Sequence, residues 1–245
     1  MHRVTTAALA AGVLVLCAGR VAAAPVETPI DISGLVNANL QTYAGGGNYP
    51  VGPTSITVGT IPFNLAGFSP SGTGIIQTPA GNSTFTIPVG LANVTTVYGL
   101  INSAFGTSGD TVGSLVFTDS ASHTFTDPLV EGANIRDHFN GVFNNSATDI
   151  FATACFGGST CPDRLDAYQI TLPASFAGNT LVSIMFNGSN AGNPQGQPFL
   201  AALTAETPGT SAVPLPAALP LFATGLGALG LLGWRRKKKV AALAE

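Results

Sequence analysis

Apolar residues in the middle of this 245-residue chain come in short bursts, not in helical stripes. Runs rich in Val, Ile, Leu, Phe and Thr occupy 55–58, 61–65, 83–87, 94–101, 112–118, 123–126, 165–172, 181–186 and 199–204, separated by clusters of Gly, Pro, Asn, Ser and Asp. Bursts of this length, enriched in β-branched and aromatic residues, predict strands. No stretch of a dozen residues there keeps a 3.6-residue apolar spacing free of Gly or Pro, so the middle of the chain is read as all-β, a single β-sandwich. The run 94–101 is mixed in its first half and nearly all apolar in its second, which predicts a central strand covered on both faces. Turn residues at 108–110, 187–189 and 193–196 punctuate the pattern. No internal repeat is found.

The two ends break this pattern. Residues 217–234 hold eighteen residues without a charge, and at about 1.5 Å per residue they predict a helix long enough to cross a bilayer. Arg235, Arg236, Lys237, Lys238 and Lys239 follow at once, and a basic flank stays on the cytoplasmic side, so everything before residue 213 is expected outside. At the other end, Arg3 precedes an apolar run over 7–18 and the small-residue exit Val21-Ala22-Ala23-Ala24, the layout of a secretory signal peptide. Pro25 would hinder a cut after Ala24, which places the cleavage after Ala23. Cys17 follows Leu16, not a small residue, which argues against lipidation. The expected organisation is a signal peptide over 1–23, an exported domain over 24–206, a linker over 207–212, a C-terminal signal over 213–239 and a cytoplasmic tail over 240–245.

Val213-Pro214-Leu215-Pro216, the apolar segment and the basic cluster together resemble the PEP-CTERM sorting signal. Pro-Leu-Pro replaces the usual Pro-Glu-Pro, and six residues extend past the cations. The resemblance implies an exosortase-type membrane protease as partner, after signal peptidase, in an exopolysaccharide-producing Gram-negative bacterium. It also implies transit through the inner membrane to the cell surface or extracellular matrix. An ordinary single-span anchor is the plainer alternative.

Charge changes the picture once the ends are set aside. The body keeps two arginines, Arg136 and Arg164, no lysine, and eleven carboxylates, a formal charge of about −9 against −3 for the whole chain. Such a surface repels phosphate backbones, which excludes a nucleic-acid partner. Cys155 and Cys161, joined by a short glycine-containing loop, are expected to form a disulfide in an oxidising compartment.

The order Ile61-Pro62-Phe63-Asn64, Phe85-Thr86-Ile87-Pro88-Val89, Val97-Tyr98-Gly99-Leu100-Ile101-Asn102, Val112 to Phe117 and Leu129 to Asp137 resembles galactose-binding-like jelly-roll domains over about residues 54–204. The glycine-rich insert 155–161 departs from that pattern. Arg136 then has two readings. It could form a bidentate ion pair with Asp137 or Glu131 that locks a loop to the sandwich. Alternatively Asn134, Arg136, Asp137 and His138 form a sugar-facing ligand surface.

No Gly-x-Ser-x-Gly, His-Glu-x-x-His, phosphate-loop or dinucleotide fingerprint is present. Asp127, Glu131, Asp149, Asp163 and Asp166 sit among turn residues, where capping is the ordinary role. No cofactor is expected. The Asp- and Asn-rich stretch 137–166 is where a structural calcium would sit in such sandwiches, but no EF-hand-like spacing supports one and no ligands are assigned. The expected function is that of an exported, non-enzymatic surface or biofilm-matrix protein with exopolysaccharide as candidate ligand. The alternatives are a carbohydrate-active enzyme using paired loop carboxylates and a simple membrane-anchored surface protein.

Overall fold

The computed structural model describes residues 23–78, 83–141, 143–189, 191, 192, 195–209 and 227. Residues 1–22 of the signal peptide expected over 1–23, and the sorting signal and helix expected within 213–239, apart from residue 227, lie outside the described residues. Among those described, no helix is long and apolar enough to cross a membrane. Residues Ala24–Gly209 form one compact unit.

Thirteen strands build the unit: β1 (Val26–Ile30), β2 (Ala38–Asn39), β3 (Thr54–Val58), β4 (Ile61–Gly67), β5 (Thr73–Gln77), β6 (Ser83–Ala92), β7 (Thr96–Ala104), β8 (Thr111–Asp119), β9 (Thr124–Val130), β10 (Ile150–Phe156), β11 (Asp163–Thr171), β12 (Thr180–Gly188) and β13 (Gln197–Thr207). They form two antiparallel sheets packed as a β-sandwich. The larger runs β10-β11-β7-β13-β5-β4-β3, with β1 beside β13 and β2 beside β5; the smaller runs β6-β12-β8-β9. Each of the nine runs read from the sequence overlaps a strand, with Val94, Thr95, His123 and Leu172 just outside.

The small sheet follows simple alternation. Ile184 and Phe186 of β12 point inward beside Ile87 and Phe85 of β6 and Phe117 and Leu115 of β8. Their neighbours Ser183, Met185 and Asn187 point out. The outer strands carry Pro88 and Pro128, which lack the N–H that a further strand would need.

The large sheet has two covered faces. Every residue of β7 is buried. Val97 and Ile101 join the core between the sheets, while Tyr98 and Leu100 join a second core with Phe63, Leu65, Leu165 and Phe199. That second core forms because the sheet curls until its end strands, β3 and β10, touch. Gly59 in the β3–β4 turn has φ +64°, and an added Cβ would come within 3.0 Å of Phe151 and Ala152 of β10. In β13, Leu200 and Leu203 both face the first core although three residues apart, which strict alternation forbids. A bulge opposite Leu100 at 200–202 resets the phase and lets Phe199, Ala201 and Ala202 face the second core.

One turn expectation fails. Asn187 and Gly188 continue β12 instead of turning. Gly188 is present because its backbone passes so close to Thr78 that a Cβ would lie 2.2 Å from the Thr78 hydroxyl. Strand β13 reaches one residue into the segment expected as linker, with Thr207 pairing with Val26. The 193–196 turn falls partly outside the described residues.

Candidate functional site

The β9–β10 connection, residues 131–149, brings Glu131, Arg136 and Asp137 beside Asp163, Arg164 and Asp166 of β11, both arginines of the body among them. It leaves β9 through a tight turn: the Val130 carbonyl accepts the N–H groups of Ala133 and Asn134 at 3.1 and 3.2 Å. Gly132 takes φ +84°. Asn134 closes this turn with its own side chain, accepting the Val130 N–H at 2.8 Å and donating to the Pro128 carbonyl at 2.8 Å. Ile135 then plugs into the core.

Residues 136–138 run extended between β7 and β11. The Ser103 N–H donates to the Arg136 carbonyl, the His138 N–H to the Ser103 carbonyl, and the Arg164 N–H to the His138 carbonyl. Successive side chains in extended backbone leave in opposite directions, and each of these three finds a different partner.

Arg136 makes a bidentate pair with Asp166 of β11, Nε to Oδ2 at 2.7 Å and Nη2 to Oδ1 at 2.8 Å. The expected bidentate bridge therefore exists, but to neither Asp137 nor Glu131. The Asp166 hydrogen bonds hold the Arg136 guanidinium above its usual range. Asp137 accepts the backbone N–H groups of Phe105 and Phe139 at 2.8 and 2.7 Å. Burial nevertheless pushes its carboxyl up. His138 Nδ1 lies 2.6 Å from the Tyr49 hydroxyl, and its ring packs against Tyr43 and Phe199. Burial lowers the imidazole to about 4, so it is neutral and can accept the Tyr49 proton.

Arg164 completes the knot. Its Nε donates to the Asp137 carbonyl at 2.8 Å and its Nη2 to Asn145 Oδ1 at 2.9 Å. Burial pulls this guanidinium below its usual range, and the neighbouring Arg136 adds to the effect. Asp163 accepts the Asn48 N–H and side-chain amide at 2.8 and 3.0 Å, leaving Oδ1 without a partner. Glu131 accepts Asn144 Nδ2 at 2.9 Å, and its Oε1 has no partner. Burial raises Glu131 to about 7, with Asp137 and Asp110 adding to the rise.

The proposed sugar-facing set is thus not an open face. Asn134, Asp137 and His138 are buried, and Arg136 is partly covered and fully engaged. Nor are Glu131, Asp163 and Asp166 exposed turn residues: all three are buried, the last two within β11. What this base holds is the loop above it. Asn144 and Asn145 tie residues 139–148 to Glu131 and to both arginines, and the Asn140 side chain donates to the Thr160 carbonyl at 3.2 Å. Cys155 and Cys161, joined by a disulfide, close the neighbouring loop.

Outside the base the loop has no charge and presents aromatic rings. Phe139 is 45% and Phe143 37% exposed; Phe151, at the start of β10, is 41% exposed. These are the three exposed phenylalanines among the described residues. Phe143 stands edge-on to Phe105, ring centroids 4.9 Å apart. Sequence reading passed over these residues because Phe is ordinarily core. The available signal was the aromatic and amide density of Phe139-Asn140-Gly141 and Phe143-Asn144-Asn145.

A second uncharged surface is the outer face of the small sheet. Thr84, Asn187 and Ser114 form a hydrogen-bonded row across three strands, and Thr86, Met185, Val116 and Thr126 form the next. Open clefts of about 370–510 Å³ lie over the Thr84–Asn187–Ser114 row itself, along β1, β3 and β4, and between β1 and β6; Asp31 is the charged residue lining them. Among the described residues, no three His, Cys, Asp or Glu side chains converge as a metal ion would require. No protein-family model and no curated protein matches this chain.

Proposed function

We propose that this protein is an exported, non-enzymatic component of the cell surface or biofilm matrix of a Gram-negative bacterium. Its body, a jelly-roll of the galactose-binding-like kind, binds exopolysaccharide through the 139–148 loop. Delivery rests on the ends of the chain. The leader over 1–23 is removed by signal peptidase, and Val213-Pro214-Leu215-Pro216, the span 217–234 and the basic cluster 235–239 are read by an exosortase-type protease in the inner membrane. The Cys155–Cys161 disulfide suits an oxidising destination.

The ligand half rests on one observation: the exposed phenylalanines of the body are confined to 139–151. Phenyl faces offer an apolar, weakly negative surface to the C–H face of a pyranose ring, and neighbouring amides supply hydrogen bonds to hydroxyls. Exposed rings held on an anchored loop lose little entropy when a ligand stacks on them.

Native electrophoresis of the mature protein through gels containing the organism's own polysaccharide tests the binding. Retardation that is lost in a Phe139→Ala/Phe143→Ala double variant, with stability changed by less than about 1 kcal/mol, supports the reading; an equally retarded double variant removes it. Release of reducing sugar from the same polymer would replace it with the carbohydrate-active enzyme reading. Intact mass tests the sorting: a chain ending near Pro216 is expected, whereas one retaining Trp234 and the cations identifies a plain anchor.

A further inference from the structure

We infer that the polysaccharide engaged by the 139–148 loop is uncharged. This inference rests on the glycan-binding reading above and adds the charge class of the ligand.

Arg136 is held by Asp166, Thr153 and the Asn145 carbonyl. Arg164 is held by the Asp137 carbonyl and Asn145. His123 is occupied by Asp119 at 2.9 Å, and His138 is buried against Tyr49. Every cationic side chain among the described residues is therefore turned inward or paired. An anionic polymer would find no counter-charge at the loop, and it would approach a body that carries eleven carboxylates.

A cationic polymer would feel the diffuse attraction of the body but would find no buried carboxylate of the loop's base within reach. Glu131, Asp137, Asp163 and Asp166 under the loop are buried, and Asp149, exposed where the loop ends, accepts the Thr148 hydroxyl at 2.9 Å. From Phe139 to Thr148 the chain carries no ionisable side chain. Stacking and amide hydrogen bonds need no counter-charge, and an uncharged chain meets no penalty from the acidic surroundings.

The test is affinity electrophoresis of the intact exported protein in native gels containing dextran, a linear β-1,3-glucan or a galactan as uncharged probes. Alginate serves as the anionic probe and glycol chitosan as the cationic one. Each gel is run at about 20 and about 300 mM NaCl, which moves the screening length roughly fourfold. Retardation by at least one uncharged polymer is expected, changing less than about twofold with salt and weakening about tenfold or more in the Phe139→Ala/Phe143→Ala variant. Retardation by alginate alone, or by glycol chitosan alone, fading as salt rises, overturns the charge class and leaves glycan binding standing. Retardation by an uncharged polymer that the double variant retains overturns the assignment to this loop. No retardation by any polymer overturns the glycan-binding reading itself.

Discussion

The base of the 139–148 loop and the outer face of the small sheet solve the placement of polar groups in opposite ways. Under the loop, Glu131, Asp137, Asp163, Asp166 and Arg164 are buried, and almost every polar atom has an assigned partner. On the outer face of β6, β12, β8 and β9 the side chains are uncharged and exposed or half-buried, and the hydroxyls among them can turn to water when a neighbour is lost. Buried charge is costly to dehydrate and costlier still to leave unpaired, so the knot specifies one position for the loop without giving much net stability. The outer face specifies almost nothing. Sensitivity to mutation should therefore differ sharply between them.

The hardest blow falls on the ion pair. Arg136→Ala strands the fully buried carboxylate of Asp166 and should cost about 3–5 kcal/mol in urea unfolding; a cost under about 1 kcal/mol would place the two regions in the same class.

A pH series sharpens the contrast next. Glu131 titrates near 7 in the folded protein and near 4.5 when unfolded. Folding therefore holds the proton across that window, and stability falls as pH climbs from about 4.5 to about 7. His138 works the other way: its folded value near 4 lies below 6.5, so stability falls as pH drops through that range. The difference between wild type and Glu131→Gln isolates the carboxylate. The variant should gain on wild type with rising pH, by on the order of 3 kcal/mol across the window. Parallel curves would show that Glu131 does not carry this proton.

The Cys155–Cys161 bridge closes a short loop beside the knot, and Cys155→Ser/Cys161→Ser should lower stability by about 2 kcal/mol. Two titratable thiols per exported chain would mean that the bond does not form in the cell. Smallest of all, Thr86→Ala or Thr126→Ala on the outer face should change stability by no more than about 0.5 kcal/mol. A larger loss would reveal an order in that face that its exposed hydroxyls do not suggest.

Much of the fold was legible because strand periodicity is local. The bursts at 112–118, 181–186 and 199–204 carry their own signal and became β8, β12 and β13. The strands that escaped have reasons of their own. In β1, Glu27 and Pro29 interrupt the apolar, β-branched pattern, yet Pro is tolerated where the far edge needs no donor. In β5, Gly74 dilutes a five-residue run, and in β10 small Ala, Thr and Cys residues blur the alternation. The site was less legible. Arg136 stands beside Asp137 in sequence, but extended backbone turns adjacent side chains apart, and the true partner lies thirty residues on. The exposure of Phe139 and Phe143 has no local marker, because a phenyl ring favours burial wherever the chain allows it.

By itself, the sequence determined the class of fold, the acidity of the body, the disulfide pair and the expected address written in its two ends. Periodicity, charge count and spacing are properties of neighbours along the chain. Only the tertiary structure decided that the large sheet curls onto a second core, that the arginines are held inside, and that three phenylalanines are left at the surface. Those outcomes depend on which distant segments compete for the same buried space, and local pattern carries no record of that competition.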